Sequence, residues 1–300
     1  MEQHVRADLS GLKPQRRSLG KRAAPYLLGA PAGLWLIVFF VVPLITMLSL
    51  SLQTCDAVTL ACSLTWRFAN FSDALSTYHT QFVRSIYYGM WATVIDLAVA
   101  FPVAYWIAFR AKRKNFFLLM LLLPFFVSFV IRTLAWEFIL SDQGLVLGTL
   151  KNLHLLPENF HVLATGVAVI AGIAYNYLPF TALPLYVALE RMDPRVLEAA
   201  GDLYASKRTS FVRVTLPLAI PGIFAAFLLT FVPAVGDFVN AQILGGTSNT
   251  MIGTVIQTEY LVNNNYPTAS ALSTILLVIM LVGIFLYGKL LGSRTIEEYI

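Results

Sequence analysis

Six apolar stretches, each about as long as a bilayer is thick, constrain this chain more than any other feature. A hydrocarbon core takes roughly 20 helical residues. Stretches of that length run from about Leu27 to Leu52, Ser85 to Phe109, Phe116 to Leu140, Val162 to Leu189, Leu218 to Leu244 and Ala269 to Leu290. Polar or glycine-rich loops bound them. In lipid, a spanning segment must satisfy its own backbone polar groups, so each stretch is predicted to be a helix. The expected fold is an all-α membrane protein with six transmembrane helices in one domain, residues 27–290, flanked by tails at 1–26 and 291–300. Composition agrees, since 12% of the residues are charged where a soluble domain carries about 25%.

Six spans put both termini on one side, and the positive charge says which. Cytoplasmic loops retain Lys and Arg. With the N-terminus inside, 17 of the 21 basic residues fall in inner segments, against Arg67, Arg84 and Lys151 outside and Arg132 within a span. Both termini are therefore expected in the cytoplasm. The basic leader before Leu27 precedes an apolar run about twice the length of a signal-peptide core and lacks a small-x-small cleavage site, so it reads as a tail on a retained first helix. Cys55 and Cys62, the only cysteines, fall in the first external loop, where an oxidising exterior permits a bridge. Two unpaired thiols are the other reading, and a metal site is not expected, because no histidine lies near enough to complete a zinc shell.

Catalytic signatures are missing. The chain has no G-x-x-x-x-G-K-[ST] phosphate loop and no H-E-x-x-H, and its four histidines lie in tails or loops. Gly236-Asp237 lacks the second aspartate phrase that an intramembrane protease would need. No enzyme activity, metal or bound cofactor is expected, and no nucleic-acid partner.

The cytoplasmic loop between the fourth and fifth spans, about 190–217, reads ERMDPRVLEAAGDLYASKRTSFVRVTLP. Asp193 followed by Pro194 is a helix start, with a capping carboxylate and a proline whose missing N–H costs nothing in the first turn. A short helix is predicted to about Tyr204, and Ser206 is placed to cap a second.

Within this loop Glu198-Ala199-Ala200, Ala205-Ser206, Phe211, Val214, Leu216-Pro217 and Pro221-Gly222 resemble the EAA loop of ABC importer permeases. The resemblance implies that Glu198, Ala199, Ala200, Tyr204 and Ala205 belong to a coupling helix that docks on a separate ATPase subunit. ATP and Mg would be used there and not by this chain. That family usually has glycine six residues after the glutamate, where this chain has Tyr204. Tyrosine takes a left-handed turn less cheaply than glycine, so the expectation is a right-handed turn or a helix that runs on.

Ionisable residues inside hydrocarbon usually mark a pathway or a packed pair. Asp96 lies about mid-depth in the second stretch, Arg132 and Glu137 in the outer half of the third, and Asp237 in the outer half of the fifth. One reading is an acidic outer vestibule suited to a cation. The other has Arg132 paired with Asp96 or Asp237 for packing, with Glu137 merely interfacial. Trp136, Tyr175, Tyr177 and Phe238 can clasp an ammonium through ring faces, and they can equally be interface anchors. Pro102, Pro124, Pro179, Pro184, Pro221 and Pro233 interrupt the stretches and permit kinks.

A second resemblance sharpens the cargo. Phe231-Val232-Pro233-Ala234-Val235-Gly236-Asp237-Phe238-Val239-Asn240-Ala241, Leu244-Gly245-Gly246, Met251-Ile252-Gly253, Tyr266-Pro267-Thr268-Ala269 and Ile131-Arg132-Thr133 with Trp136 look like the spermidine/putrescine permease subfamily. The resemblance implies a type I ABC importer permease fold in the inner membrane of a prokaryotic cell and a polyamine cargo. It also implies an ATPase dimer, a second, different but similar permease subunit, an extracytoplasmic substrate-binding protein and surrounding lipid. Related permeases carry ferric ion, thiamine or phosphonates, which are the alternative cargoes. A self-sufficient secondary transporter is the rival class, and it would be built from internal repeats, of which the two halves show none.

Overall fold

A computed structural model describes residues 29–55 and 62–297. The expected tail at 1–26 lies outside them. Helix α1 is Gly29–Ser51, close to the predicted first span, and carries a π-helical stretch at Ile37–Val41.

From Leu50 onward the chain builds a second unit. It opens on a two-stranded antiparallel ribbon, β1 (Gln53–Cys55) and β2 (Cys62–Leu64), in which Cys55 faces Cys62 and is bridged to it. This ribbon departs from the all-α expectation. Asn70 fastens it to the next helix, its Nδ2 donating to the carbonyls of Ser51 and Gln53 at 2.9 Å each.

Helix α2 (Ala69–Phe109) is 41 residues long. It begins well before the predicted Ser85, because the external segment ahead of the span is helical too, with a break in helical geometry at Tyr78. Tyr88, Ala92, Asp96, Ala100, Ala104 and Ala108 recur every four residues and are all buried. That spacing keeps one face of a helix continuous, so the stripe of alanines carries Asp96 inward with it.

Helix α6 (Gly166–Glu190) starts at Thr165, whose hydroxyl caps the Ala168 amide at 3.3 Å, and it passes through Pro179 and Pro184. Helix α8 (Lys207–Val235) runs unbroken from the loop after α6 into the fifth span through a π-helical turn at Phe211–Thr215. Helices α2, α6 and α8 pack as the centre of the unit, around Ala100, Ala104, Ala182, Ala219 and Ala226.

Two predicted spans are not single helices. The third is α3 (Lys114–Leu122) with a 3₁₀ turn at Leu123–Phe126, followed by α4 (Phe129–Leu140) at an 87° bend. Pro124 takes a donor from the ladder there, and Val127 and Ser128 have extended ψ of 139° and 137°. The fifth ends at Val235, and after Gly236–Phe238 a short α9 (Val239–Leu244) follows. Among the described residues, five helices are thus long and apolar enough to cross a membrane, and six if the bent pair is one span. The remaining elements are α5 (Leu147–Asn152), α7 (Pro194–Asp202), α10 (Ile252–Leu261) and α11 (Tyr266–Glu297). The expected C-terminal tail, 291–300, is therefore helical as far as Glu297.

Close approach of α6 and α8 is carried by Gly222, where an added Cβ would run into the Ala188 methyl and come within 3.2 Å of the Pro184 carbonyl. Gly222→Ala is expected to cost about 1–3 kcal/mol through overpacking and to lower the thermal midpoint of the detergent-solubilised protein. Gly201→Ala, with nothing within 4 Å of its new Cβ, should leave that midpoint unchanged or raise it.

Candidate transport path and coupling loop

The two broken spans are joined through α6 by one buried polar network. Asp237, in the break between α8 and α9, accepts from the Asn240 amide at 2.9 Å and from Asn240 Nδ2 at 2.7 Å. Asn240 Oδ1 accepts from Asn176 Nδ2 on α6 at 3.1 Å and lies 3.1 Å from the Thr133 hydroxyl on α4. Asn176 Nδ2 also reaches Thr133 Oγ1 at 3.2 Å, and Tyr177 lies beside Asp237. Asp237, Asn240, Asn176 and Thr133 are all buried. A carboxylate at this depth is tolerated because donors surround it.

The remaining candidates are dispersed. Asp96 sits in the alanine stripe of α2, 1% exposed, with Oδ2 lacking a hydrogen-bond partner. Arg132 is buried at the start of α4, over the rings of Phe125 and Phe129. No ion pair joins Arg132 to any acid among the described residues, so the expected packing pair with Asp96 or Asp237 is not formed. The 87° bend turns α4 away from the line of α3, and Arg132 finds aromatic company instead. Glu137 is half-buried on α4. Trp136 meets Tyr175 edge-on at 5.4 Å between centroids. Phe238 is half-exposed, and its carbonyl accepts from the Thr254 hydroxyl at 3.4 Å.

The uncharged members of the network, Thr133, Asn176 and Asn240, were not among the residues expected from sequence. The available signal was an uncharged polar residue inside an apolar run. Glu259 was also missed. It lies buried on α10, accepting from the Tyr78 hydroxyl at 2.9 Å and Asn263 Nδ2 at 3.0 Å. α10 is too short to read as a span, so its acid drew no weight.

The loop between α4 and α6 is gathered around Asp142, which accepts from Lys151 Nζ at 2.9 Å and contacts His161 Nδ1 at 2.6 Å. Hydrogen bonding from Lys151 foremost, aided by His161, holds the Asp142 carboxyl below its ordinary range.

The loop between α6 and α8 has the predicted helix starts. Asp193 caps α7 through the Arg195 amide at 3.0 Å, and Ser206 caps α8 through the Thr209 amide at 3.2 Å. Its turn corrects the expectation. α7 ends at Asp202, and Tyr204 adopts φ +57°, so the turn is left-handed. The Tyr204 amide donates to the Gly201 carbonyl at 2.9 Å and the Ala205 amide to the Ala200 carbonyl at 3.0 Å. This is the pair of bonds that closes a Schellman motif, and the two carbonyls it satisfies offset the tyrosine's strain. Ala200 is buried beneath the turn, while Glu198 and Ala199 face outward and Tyr204 is 98% exposed. Phe211, in the π-helical turn, meets Phe101 and Tyr105 of α2 edge-on, each at 5.7 Å.

Known proteins share this plan. The family described as binding-protein-dependent transport system inner membrane component matches residues 84–294. The spermidine/putrescine transport system permease protein PotB of Haemophilus influenzae is 36% identical over 266 residues, 87% of this chain and 92% of its own. A crystal structure of a bacterial ABC transporter involved in the import of the acidic polysaccharide alginate superposes with a TM-score of 0.70 at 20% identity, covering 92% of this chain and 98% of that one. A second, of a bacterial alginate ABC transporter in complex with an alginate pentasaccharide-bound periplasmic protein, gives 0.65 at 20% identity, covering 90% and 94%.

Two outcomes follow from the geometry. Asn240→Ala leaves Asp237 and Asn176 without partners, and the loss of a thermal midpoint equivalent to about 1–3 kcal/mol is expected. Tyr204→Gly removes a left-handed strain of order 1 kcal/mol. Amide hydrogen exchange across 203–205 is expected to slow in that variant and to stay at the wild-type rate in Tyr204→Ala, which keeps the strain.

Proposed function

The chain belongs to the family of binding-protein-dependent transport system inner membrane components, and from that premise we propose that it forms one half of an ATP-driven import path for polyamines. As a member of that family it is a multi-pass inner-membrane transport component and not an enzyme, and it works with a substrate-binding protein and ATPase subunits. The rival reading, a self-sufficient secondary transporter, falls with that membership.

The polyamine cargo is carried by one observation, the 36% identity to a spermidine/putrescine permease over nearly the whole of both chains. Buried acids and ring faces along the broken spans are compatible with a cationic cargo. In the proposed arrangement both termini are cytoplasmic, and a second, similar permease completes the path. Two ATPase subunits, which bind ATP and Mg, lie below the membrane. The binding protein delivers cargo to the external face.

Coupling is assigned to α7. Glu198 faces outward on it, and Val196, Leu203 and Tyr204 are exposed apolar side chains on a segment outside the membrane. A cluster of that kind on a soluble face is what a docking surface presents. Closure of the ATPase dimer would push on α7 and open the path outward, and hydrolysis would reset it. Glu198 supplies the charged contact, and Ala199 and Ala205 permit close approach.

The test is uptake by proteoliposomes holding this chain with its co-purifying partners and binding protein. Saturable, ATP-dependent entry of spermidine and putrescine is expected. ATP hydrolysis without entry of either would reject the polyamine cargo and keep the importer. Glu198→Lys should abolish uptake at least about tenfold, a coupling loss of over 1.4 kcal/mol, while the purified complex keeps its wild-type melting curve. Wild-type uptake in that variant would reject the docking role.

A further inference from the structure

A buried guanidinium with no carboxylate beside it is the least expected group in the membrane-spanning unit. Arg132 is 6% exposed, forms no ion pair, and its Nε and Nη1 have no hydrogen-bond partner. Its surroundings are aromatic. The guanidinium carbon stands 6.0 Å from the Phe125 ring centroid and 5.6 Å from that of Phe129. Those two rings are the ends of a chain of ring contacts: Phe125 to Phe180 at 5.3 Å, Phe180 to Tyr177 at 6.0 Å, and Tyr177 to Phe129 at 5.9 Å. The guanidinium bridges the two ends and closes the ring. Beside Tyr177 lies Asp237.

This cage exists because the third span is broken. Phe125 lies in the 3₁₀ turn before the 87° bend and Phe129 opens α4 after it, so the bend brings both rings to one cation. In a straight helix their four-residue separation would stack them along one face toward a neighbouring helix. Ring faces attract cations, and more so where water is excluded. They do not discriminate a guanidinium from an alkylammonium by hydrogen bonding.

We propose that the cage of Phe125, Phe129, Tyr177 and Phe180 seats an ammonium group of the cargo, and that Arg132 occupies it as a tethered stand-in cation until cargo arrives. The inference deepens the polyamine reading and rests on a cationic cargo. A head group held by ring faces, with two donors unmet, has less to lose on leaving than one locked in an ion pair, and its long stem lets it swing aside. Phe125 and Phe180, half-exposed at the surface of this subunit, give the incoming amine its approach. With arginine seated, the path keeps a cation of its own and offers no empty cage to smaller ions. A cargo with one amine at the rings and another toward Asp237 displaces it, while a monoamine has only the rings to gain.

Two measurements on the assembled complex test this. In Arg132→Cys, modification of the new thiol is followed by the intact mass of this chain, in which Cys55 and Cys62 are bridged. The cationic reagent 2-aminoethyl methanethiosulfonate should outpace its anionic sulfonatoethyl counterpart by about tenfold more than it does at Leu155→Cys, an exposed loop position after α5 to which no docking role is assigned. Adding Phe129→Leu should shrink that preference. A preference equal to the exposed control, or no modification by either reagent in any nucleotide state, overturns the cage. In Arg132→Gln, the spermidine concentration giving half-maximal uptake should fall by about threefold or more. An unchanged or higher value with the complex intact overturns the stand-in role. If the wild-type complex imports no spermidine, the cargo reading has failed, and the reagent preference still decides the cage.

Discussion

In lipid an apolar side chain gains nothing by turning inward, so α2, α6 and α8 hold together only as well as their backbones approach. Everything else in the unit depends on that approach. Alanines at four-residue spacing on α2 meet Ala182 and Leu185 of α6 and Ala219 and Ala226 of α8. Gly222 permits contact with the backbone of α6, and Thr181 and Thr230 join the same two helices at 2.6 Å between hydroxyls. A centre of small residues leaves little room for adjustment, because a single methylene is felt in a close-packed interior. The broken third span and α9 lie outside that centre of small residues.

The polar groups of the broken spans follow from the same constraint. A helix that ends inside hydrocarbon leaves carbonyls and amides unpaired, and these are tolerated only where protein or a cavity covers them. Asp237 answers this at one break by accepting the first amides of α9. Thr133 and Asn176 then tie that cap to the other break through Asn240. Unpaired backbone, buried acid and aromatic cage thus fall together because each break needs all of the others to be covered.

The six stretches, their limits to within a few residues over most of their ends, and the capped starts of the coupling loop were legible in the sequence. Length and hydropathy set the first, and Asp193 and Ser206 the second. The breaks were not legible as breaks. Pro124 and Pro233 looked like the other prolines, yet α6 passes through Pro179 and Pro184 without stopping. What distinguishes Pro124 is the extended Val127-Ser128 after it, and a proline's effect there depends on whether neighbours can cover the freed groups. The pairing expected of Arg132 failed for the same reason, since separation along a helix says nothing once the helix turns through 87°. Tyr204 was judged by its own strain alone. The two hydrogen bonds that its turn closes reversed the balance.

That turn also bears on how force travels. Its two hydrogen bonds, to the Gly201 and Ala200 carbonyls, hold the angle between α7 and α8. α8 is continuous from the loop after α7 to Val235, two residues before Asp237. Phe211 at its base is wedged edge-on between Phe101 and Tyr105 of α2. A push on α7 therefore has two physical routes upward, along the axis of α8 to the break beside Asp237 and through Phe211 into the alanine stripe that holds Asp96. Both routes run through stiff, close-packed parts and end at the polar groups. The first route reaches an interrupted helix at Gly236–Phe238, and the second ends in the unbroken stripe of α2.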